Sequence, residues 1–246
     1  VFGTASLGTG YLWLIAYYNS PGPLMSPVNV WIKKGSSAKS ISKDLQRAGV
    51  IDKPIIFEFG RRILGKAKPL RAGEFAFKTH MSAADVVAHL QTGKTVLHKV
   101  TIAEGLSSAE VVELLANYPG LTGNIEEVPG EGVLLPETYY FSRGDSRASI
   151  IRRMRNKMKQ LLMDAWKTRS SNLPFKNSRE AVILASIIEK ETGMASERSQ
   201  ISGVFINRLR LGMRLQSDPT VIFGITRGRG PLDRAITKAD LRSKTP

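Results

Sequence analysis

Residues 176–193 read KNSREAVILASIIEKETG, and this stretch decides how the second half of the chain is understood. Asn177 and Glu180 stand in capping-box register, apolar residues recur at helical spacing, and Gly193 offers a stop, so the pattern predicts one helix. Two glutamates fall near its end. At about 100° per residue, Leu184, Ile187, Ile188 and Glu191 share one face, with Glu191 about 20° from Leu184 and Glu189 about 140° away. A carboxyl set in an apolar face loses hydration in its charged form, so Glu191 is expected to stay protonated toward neutral pH and to be the better proton donor. The partial negative charge of a helix C-terminus acts in the same direction. A structural alternative stands beside this: Glu191 pairs with a basic residue such as Arg198 or Arg208.

On the C-terminal side, residues 196–211 predict a second helix, apolar at Ile201, Val204, Phe205 and Leu209, with Asn207 and Arg208 interrupting the run. Residues 213–220, MRLQSDPT, then alternate and end at Asp218-Pro219, where proline biases the preceding residue toward an extended backbone. Asp218 also suits the cap of a helix starting at Pro219. On the N-terminal side, residues 146–167 place Ile150, Ile151, Met154, Met158, Leu161, Leu162 and Ala165 on one stripe and Arg152, Arg153, Arg155, Lys157 and Lys159 on the other faces. That is a core helix with a solvated basic side, or one that touches an anionic polymer or lipid. Residues 135–141, LPETYYF, set Glu137 beside Tyr139, Tyr140 and Phe141. Sugar rings present apolar faces and hydroxyl edges, so this group suits a saccharide wall, although packing alone also accounts for the aromatics.

In the first half, residues 28–32 (VNVWI) alternate like a strand, Lys34-Gly35 turns, and Ser36-Ser37 opens a helix. Residues 98–117 repeat the plan, with Glu104-Gly105 as the turn and Ser107-Ser108 as the cap, which predicts two related small α/β units. Between them fall a helix (54–64), a strand (73–77) and a helix (82–90), and residues 119–132 read as a surface loop. The fold class expected is α+β. Ahead of it, residues 1–32 carry no charge, and residues 1–18 come close to the ~20 apolar residues that span a bilayer. With Trp13, Tyr17 and Tyr18 clustered at the end, a membrane anchor over 1–20 is expected; a buried core helix is the alternative, because Gly3, Thr4, Gly8, Thr9 and Gly10 dilute the segment.

A net charge of +15 calls for an anionic neighbour: nucleic acid, anionic lipid or a carboxylate-bearing wall polymer. No recognisable reading motif accompanies the basic residues, so no nucleic acid is expected. Zero cysteines exclude disulfides, thiol catalysis and cysteine-based zinc sites. His80, His89 and His98 lack metal-ligand spacing, and neither a nucleophile elbow nor a phosphate loop is present, so no metal or cofactor is expected. One acidic residue is then the main chemical resource, whereas ordinary glycoside hydrolysis uses two carboxylates.

The blocks LPETYYF (135–141), ASIIEKET (185–192), ASER (195–198) and VFINRLRLGMRLQSDPTVIFG (204–224), in that order, resemble the endolytic murein transglycosylase family, also called YceG-like. The resemblance implies an N-terminal anchor (1–20), a LysM-like region (27–95) and a mainly helical, lysozyme- or transglycosylase-like catalytic domain (96–246). Family members continue beyond 246, so that domain is expected to be incomplete at its C-terminus. The implied reaction cleaves peptidoglycan glycan strands between N-acetylmuramic acid and N-acetylglucosamine and leaves a 1,6-anhydro end. Glu191 is its implied acid and base, and Glu191-Thr192 resembles the Glu-Ser pair of related transglycosylases. Gln216, Ser217, Asp218 and Thr220 would line the glycan groove opposite Glu191, and Glu137, Tyr139 and Tyr140 another wall. Asn207 would orient a substrate group or hold the helix pair together. Implied too are a single-pass place in the inner membrane, an extracytoplasmic catalytic region and cell-wall synthases as partners. The alternative from another class is a non-catalytic, membrane-tethered peptidoglycan-binding scaffold.

Overall fold

The computed structural model describes residues 2–64 and 68–242, with side chains for all of these except 2–10; Val1 of the expected anchor lies outside the described residues. Alternation in the first strand sets the first core. β1 (Val28–Ile32) pairs antiparallel with β2 (Gly73–Phe77), placing Val28 opposite Phe77, Val30 opposite Phe75 and Ile32 opposite Gly73. Side chains alternate across a strand, so Val30, Ile32, Phe75 and Phe77 fall on one face, and all four are buried. Helices α1 (Phe2–Asn19), α2 (Ala38–Arg47), α3 (Pro54–Ile63) and α4 (Ala83–Thr92) supply the rest. Leu45, Phe57 and Leu90 are buried with the strands. Ser37 caps α2 by accepting the N–H of Ser40, as its sequence position predicted; Ser82 caps α4 in the same way through the N–H of Asp85, and Pro54 opens α3 at its first position.

The anchor expectation is overturned. Among the described residues no helix is long and apolar enough to cross a membrane. The end of α1 packs inward: Tyr18 is buried, and Leu14 and Tyr17 lie against the first core. Gly60 makes room for this, since a Cβ there would come within 2.2 Å of the Tyr18 ring. Small residues in the segment shorten its apolar run, and the aromatics that suggested a headgroup belt include the ones that face α3.

The expectation of small LysM-like α/β modules fails as well. β1 pairs with β2 across two helices. The apparent repeat, β3 (Leu97–Thr101), pairs with β4 (Thr138–Ser142) across one helix, α5 (Ser108–Ala116), and a long loop. A shared strand, glycine turn and capped helix are local features, and they recur here without a shared module. Tyr18 at the end of α1 and Leu24 after it join the same core as β1 and β2.

The chain divides into two compact units, one of residues up to 98 with 140–144, the other of 99–139 with 145 onward. In the second, Val100, Ile102, Val111, Leu115, Leu121, Tyr139, Ile150 and Met154 are buried. Arg147 is consumed structurally there, its guanidinium donating to the carbonyls of Leu115 at 2.7 Å and Gly123 at 2.8 Å. It opens α6 (Arg147–Lys167), whose apolar stripe is buried only at Ile150, Ile151 and Met154 while Leu161 is half exposed. Helices α7 (Ser178–Glu191), α8 (Arg198–Arg210), α9 (Asp218–Thr226) and the short α10 (Lys238–Arg242) complete an α+β chain.

Candidate active site

α7 begins where the sequence placed it: Asn177 Oδ1 accepts the Glu180 N–H at 3.1 Å, and the Glu180 carboxylate accepts the Lys176 N–H at 2.8 Å. It ends two residues before the anticipated glycine stop, Gly193. Glu191 is the last helical residue, and Thr192 follows in an extended conformation with its side chain buried.

Four successive residues at this end go to four different partners. The Glu189 carboxylate accepts from Arg198 on α8 at 2.9 Å. The Lys190 chain lies 3.6 Å from the position a Cβ on Gly105 would take, and its ammonium helps hold the Glu110 carboxyl below the usual range. The larger cause there is the Ser107 N–H bond to Glu110. Glu191 Oε1 accepts the hydroxyl proton of Ser217. Thr192 Oγ1 donates to Glu197 at 2.7 Å and accepts the Met194 N–H at 3.0 Å, which closes the link between α7 and α8.

The loop carrying Ser217 is held from three sides. Arg208 on α8 donates to the Leu215 carbonyl, the Met213 N–H donates to the Arg208 carbonyl at 2.8 Å, and Thr220 Oγ1 donates to the Ser217 carbonyl at 2.6 Å. Gln216 sits at φ +54, a left-handed conformation uncommon for a residue with a Cβ. Ser217 is buried and is the N-cap of α9; Asp218, placed as a possible cap by its sequence, is instead the first helical residue and is exposed.

One expectation about Glu191 is corrected. Leu184 and Ile187 on its face are buried, but Glu191 itself is exposed, because α7 runs past its small apolar cluster before it ends. Protein packing therefore does not desolvate the residue. The competing ion-pair reading is also not what the structure shows, since Arg198 goes to Glu189 and Arg208 to the Leu215 carbonyl.

The other candidates divide. Ser217 reaches Glu191 directly, Gln216 precedes it in the held loop, and Asp218 and Thr220 stand in the first turn of α9, Thr220 bonded back to the Ser217 carbonyl. Glu137 pairs with Lys157 on α6 at 2.6 Å. Tyr139 is buried and donates its hydroxyl to the Leu135 carbonyl at 2.8 Å, with Lys157 over its ring. Burial, with the Glu137 carboxylate adding and Arg153 opposing, pushes the Tyr139 phenol up to about 12. Tyr140 is exposed on β4, and Asn207 is exposed on α8. Among the described residues no cluster of three His, Cys, Asp or Glu is arranged to hold a metal ion.

Sequence reasoning missed Glu131. Its carboxylate accepts the Ser108 N–H, and burial pushes it up while that bond pulls it down and Glu110 raises it further. Nothing in the loop sequence singles it out. Arg208 was noticed only as a possible partner of Glu191, since an arginine aimed at a backbone carbonyl leaves no sequence pattern.

A carboxyl at a helix end that accepts a hydroxyl from a held loop has the chemistry to give and take a proton. A family model described as the YceG-like family matches residues 30–246, and the chain belongs to that family. It is 27% identical to an endolytic murein transglycosylase of Streptococcus pneumoniae serotype 2, over 87% of this chain and 45% of that protein. A Bacillus subtilis protein of the same name is 26% identical over 89% of this chain and 68% of its own length. The chain thus spans about half the length of the pneumococcal relative. A crystal structure of a YceG-like protein from Listeria monocytogenes shares 28% identity over 90% of this chain and 81% of that one, at a TM-score of 0.46.

Proposed function

We propose that this chain is the catalytic part of a lytic transglycosylase that cuts peptidoglycan within its glycan strands, with Glu191 as acid and then base. The observation that carries the reading is the Glu191 carboxyl at the exposed end of α7, bonded by Ser217 from the loop that follows α8. It is supported by the name shared by the pneumococcal and Bacillus relatives.

In this reaction the Glu191 carboxyl gives its proton to the glycosidic oxygen, and the bond from that oxygen to muramyl C1 breaks with the electron pair leaving on oxygen. The carboxylate then takes the proton of the muramyl C6 hydroxyl, and that oxygen bonds to C1 as the 1,6-anhydro ring closes. The proton returns to Glu191, no water is consumed, and the substrate supplies the nucleophile, so one carboxylate suffices. A glycan strand laid over the exposed carboxyl would exclude the water that protein packing leaves there. The strand is extracytoplasmic material, so we place the enzyme on that side, beside the machinery that makes it.

The test is digestion of purified sacculi by the full-length protein and by Glu191→Gln. Loss of general acid–base catalysis predicts a fall of about 10²- to 10⁴-fold in anhydro-ended products. Equal release by both would remove Glu191 from this role, and sacculus binding with no anhydro product from either would indicate a scaffold.

A further inference from the structure

Five described helices have serine at the N-cap, and one of these serines behaves unlike the rest. Ser37, Ser82, Ser107 and Ser146 each accept the backbone N–H three residues on, the ordinary use of a serine in that position. Ser217 makes no such bond to α9 and is buried, and its hydroxyl proton goes to Glu191 Oε1, 26 residues back in the chain. The backbone before it is left-handed at Gln216, a conformation that persists in a residue with a Cβ only when its surroundings hold it. Arg208 supplies part of that hold through the Leu215 carbonyl, one residue before Gln216.

We infer that Ser217 is a positioning residue for Glu191, divides the labour of its two carboxyl oxygens, and is itself set in place by Arg208. This rests on the transglycosylase reading above. The Ser217 hydroxyl donates to Oε1, so an acid that carries its proton on Oε2 keeps this bond, whereas a proton on Oε1 would oblige the hydroxyl to turn and accept. Oε2 is thereby the oxygen that carries the proton to the glycosidic oxygen and takes the next one from the C6 hydroxyl. A rotating carboxyl would present either oxygen, and a misplacement of that kind is costly in a proton transfer. The same bond supports the carboxylate at the moment its proton has left. Ser217 thus acts through Glu191 rather than on the sugar.

The experiment compares Ser217→Thr with Ser217→Val in the full-length protein. The two side chains have nearly the same shape and differ in the hydroxyl, so a folding defect from shape falls on both. Melting temperatures are measured alongside kcat and KM on defined glycan strands. Ser217→Thr is expected to keep kcat within a few-fold of wild type, and Ser217→Val to lose about ten- to a hundredfold in kcat with KM little changed, the range for a hydrogen bond to a charged group. Arg208→Ala is expected to fall in the same direction, and the Arg208→Ala, Ser217→Val double variant to be no slower than Ser217→Val, because both act through one hydroxyl. Equal kcat for the Thr and Val variants would overturn the inference, as would a loss that appears in KM alone. Additive losses in the double variant would remove Arg208 from it. Wild type and Glu191→Gln run in the same assay keep the two levels apart. If wild type releases no anhydro product, the reaction itself is wrong; if wild type is active and the Thr and Val variants match, only the role of Ser217 is.

Discussion

The region around β1 and β2 and the region around α7, α8 and α9 both contain helices opened by a side-chain cap, Ser37 and Ser82 in the first and Asn177 in the second, yet they bury very different amounts. The first joins fifteen described residues, from Tyr18 to Leu90, in one cluster, with Phe57, Phe75 and Phe77 fully buried. The second buries Leu184, Ile187 and Phe205, and none of the residues of α9 is buried. The candidate site sits in the thinner region. Stability is not uniform across a fold, and elements that must receive a ligand are drawn from its less stable end. What the thin region lacks in burial it replaces with directed polar contacts: Arg198 to Glu189, Thr192 to Glu197, Arg208 to the Leu215 carbonyl and Ser217 to Glu191.

The sharpest way to break this comparison is a pair of truncations. Phe57→Ala is expected to lower the unfolding free energy by about 3–5 kcal/mol, since a close-packed site cannot collapse around the cavity. Phe205→Ala is expected to cost less than about 3 kcal/mol, because its neighbours border solvent and can relax. Urea unfolding measures both, and equal losses would mean the two clusters are equally packed. Hydrogen exchange sharpens the point: amides of α9 are expected to exchange by local opening, and those of Val30 and Phe75 only by global unfolding.

A smaller effect is expected at high pH. The raised Tyr139 phenol belongs to the folded state, so its contribution is fully present below its ordinary value of 10.0 and is lost as pH rises through about 12. Melting temperature followed from pH 9 upward is expected to fall less steeply in Tyr139→Phe, and an unchanged slope would mean the hydroxyl is not held as described. The smallest change is Lys157→Ala. Its pair with Glu137 is half exposed on both sides, so about 0–1 kcal/mol is expected, and a larger loss by thermal unfolding would show that α6 depends on it more than its exposure indicates.

Much of this is legible in the amino-acid sequence. The serine caps at 37 and 107, the Asn177 cap, the strand at 73–77 and the helices around them follow from residues within four positions of one another. The family blocks singled out Glu191 over Glu189, and the structure separates the two by partner, Arg198 for one and Ser217 for the other. The failures also have a common cause. Periodicity placed Glu191 on an apolar face but could not say that the cluster stops short of the helix end. An uncharged first segment suggested a membrane span, and what it lies against, α3 and Gly60, is distant in sequence. Two similar local patterns suggested a repeat, and strand pairing alone distinguished them.

The amino-acid sequence by itself determined most of the elements, the caps at Ser37, Ser107 and Asn177 and the YceG-like resemblance, because these depend on side-chain spacing along a few turns. Tertiary structure alone decided that Ser217 leaves its own helix uncapped to bond Glu191, that Arg208 serves the loop rather than the acid, and that Glu191 is exposed although it continues an apolar face. Such contacts are set by how separated segments meet, and spacing within one segment carries no information about that meeting.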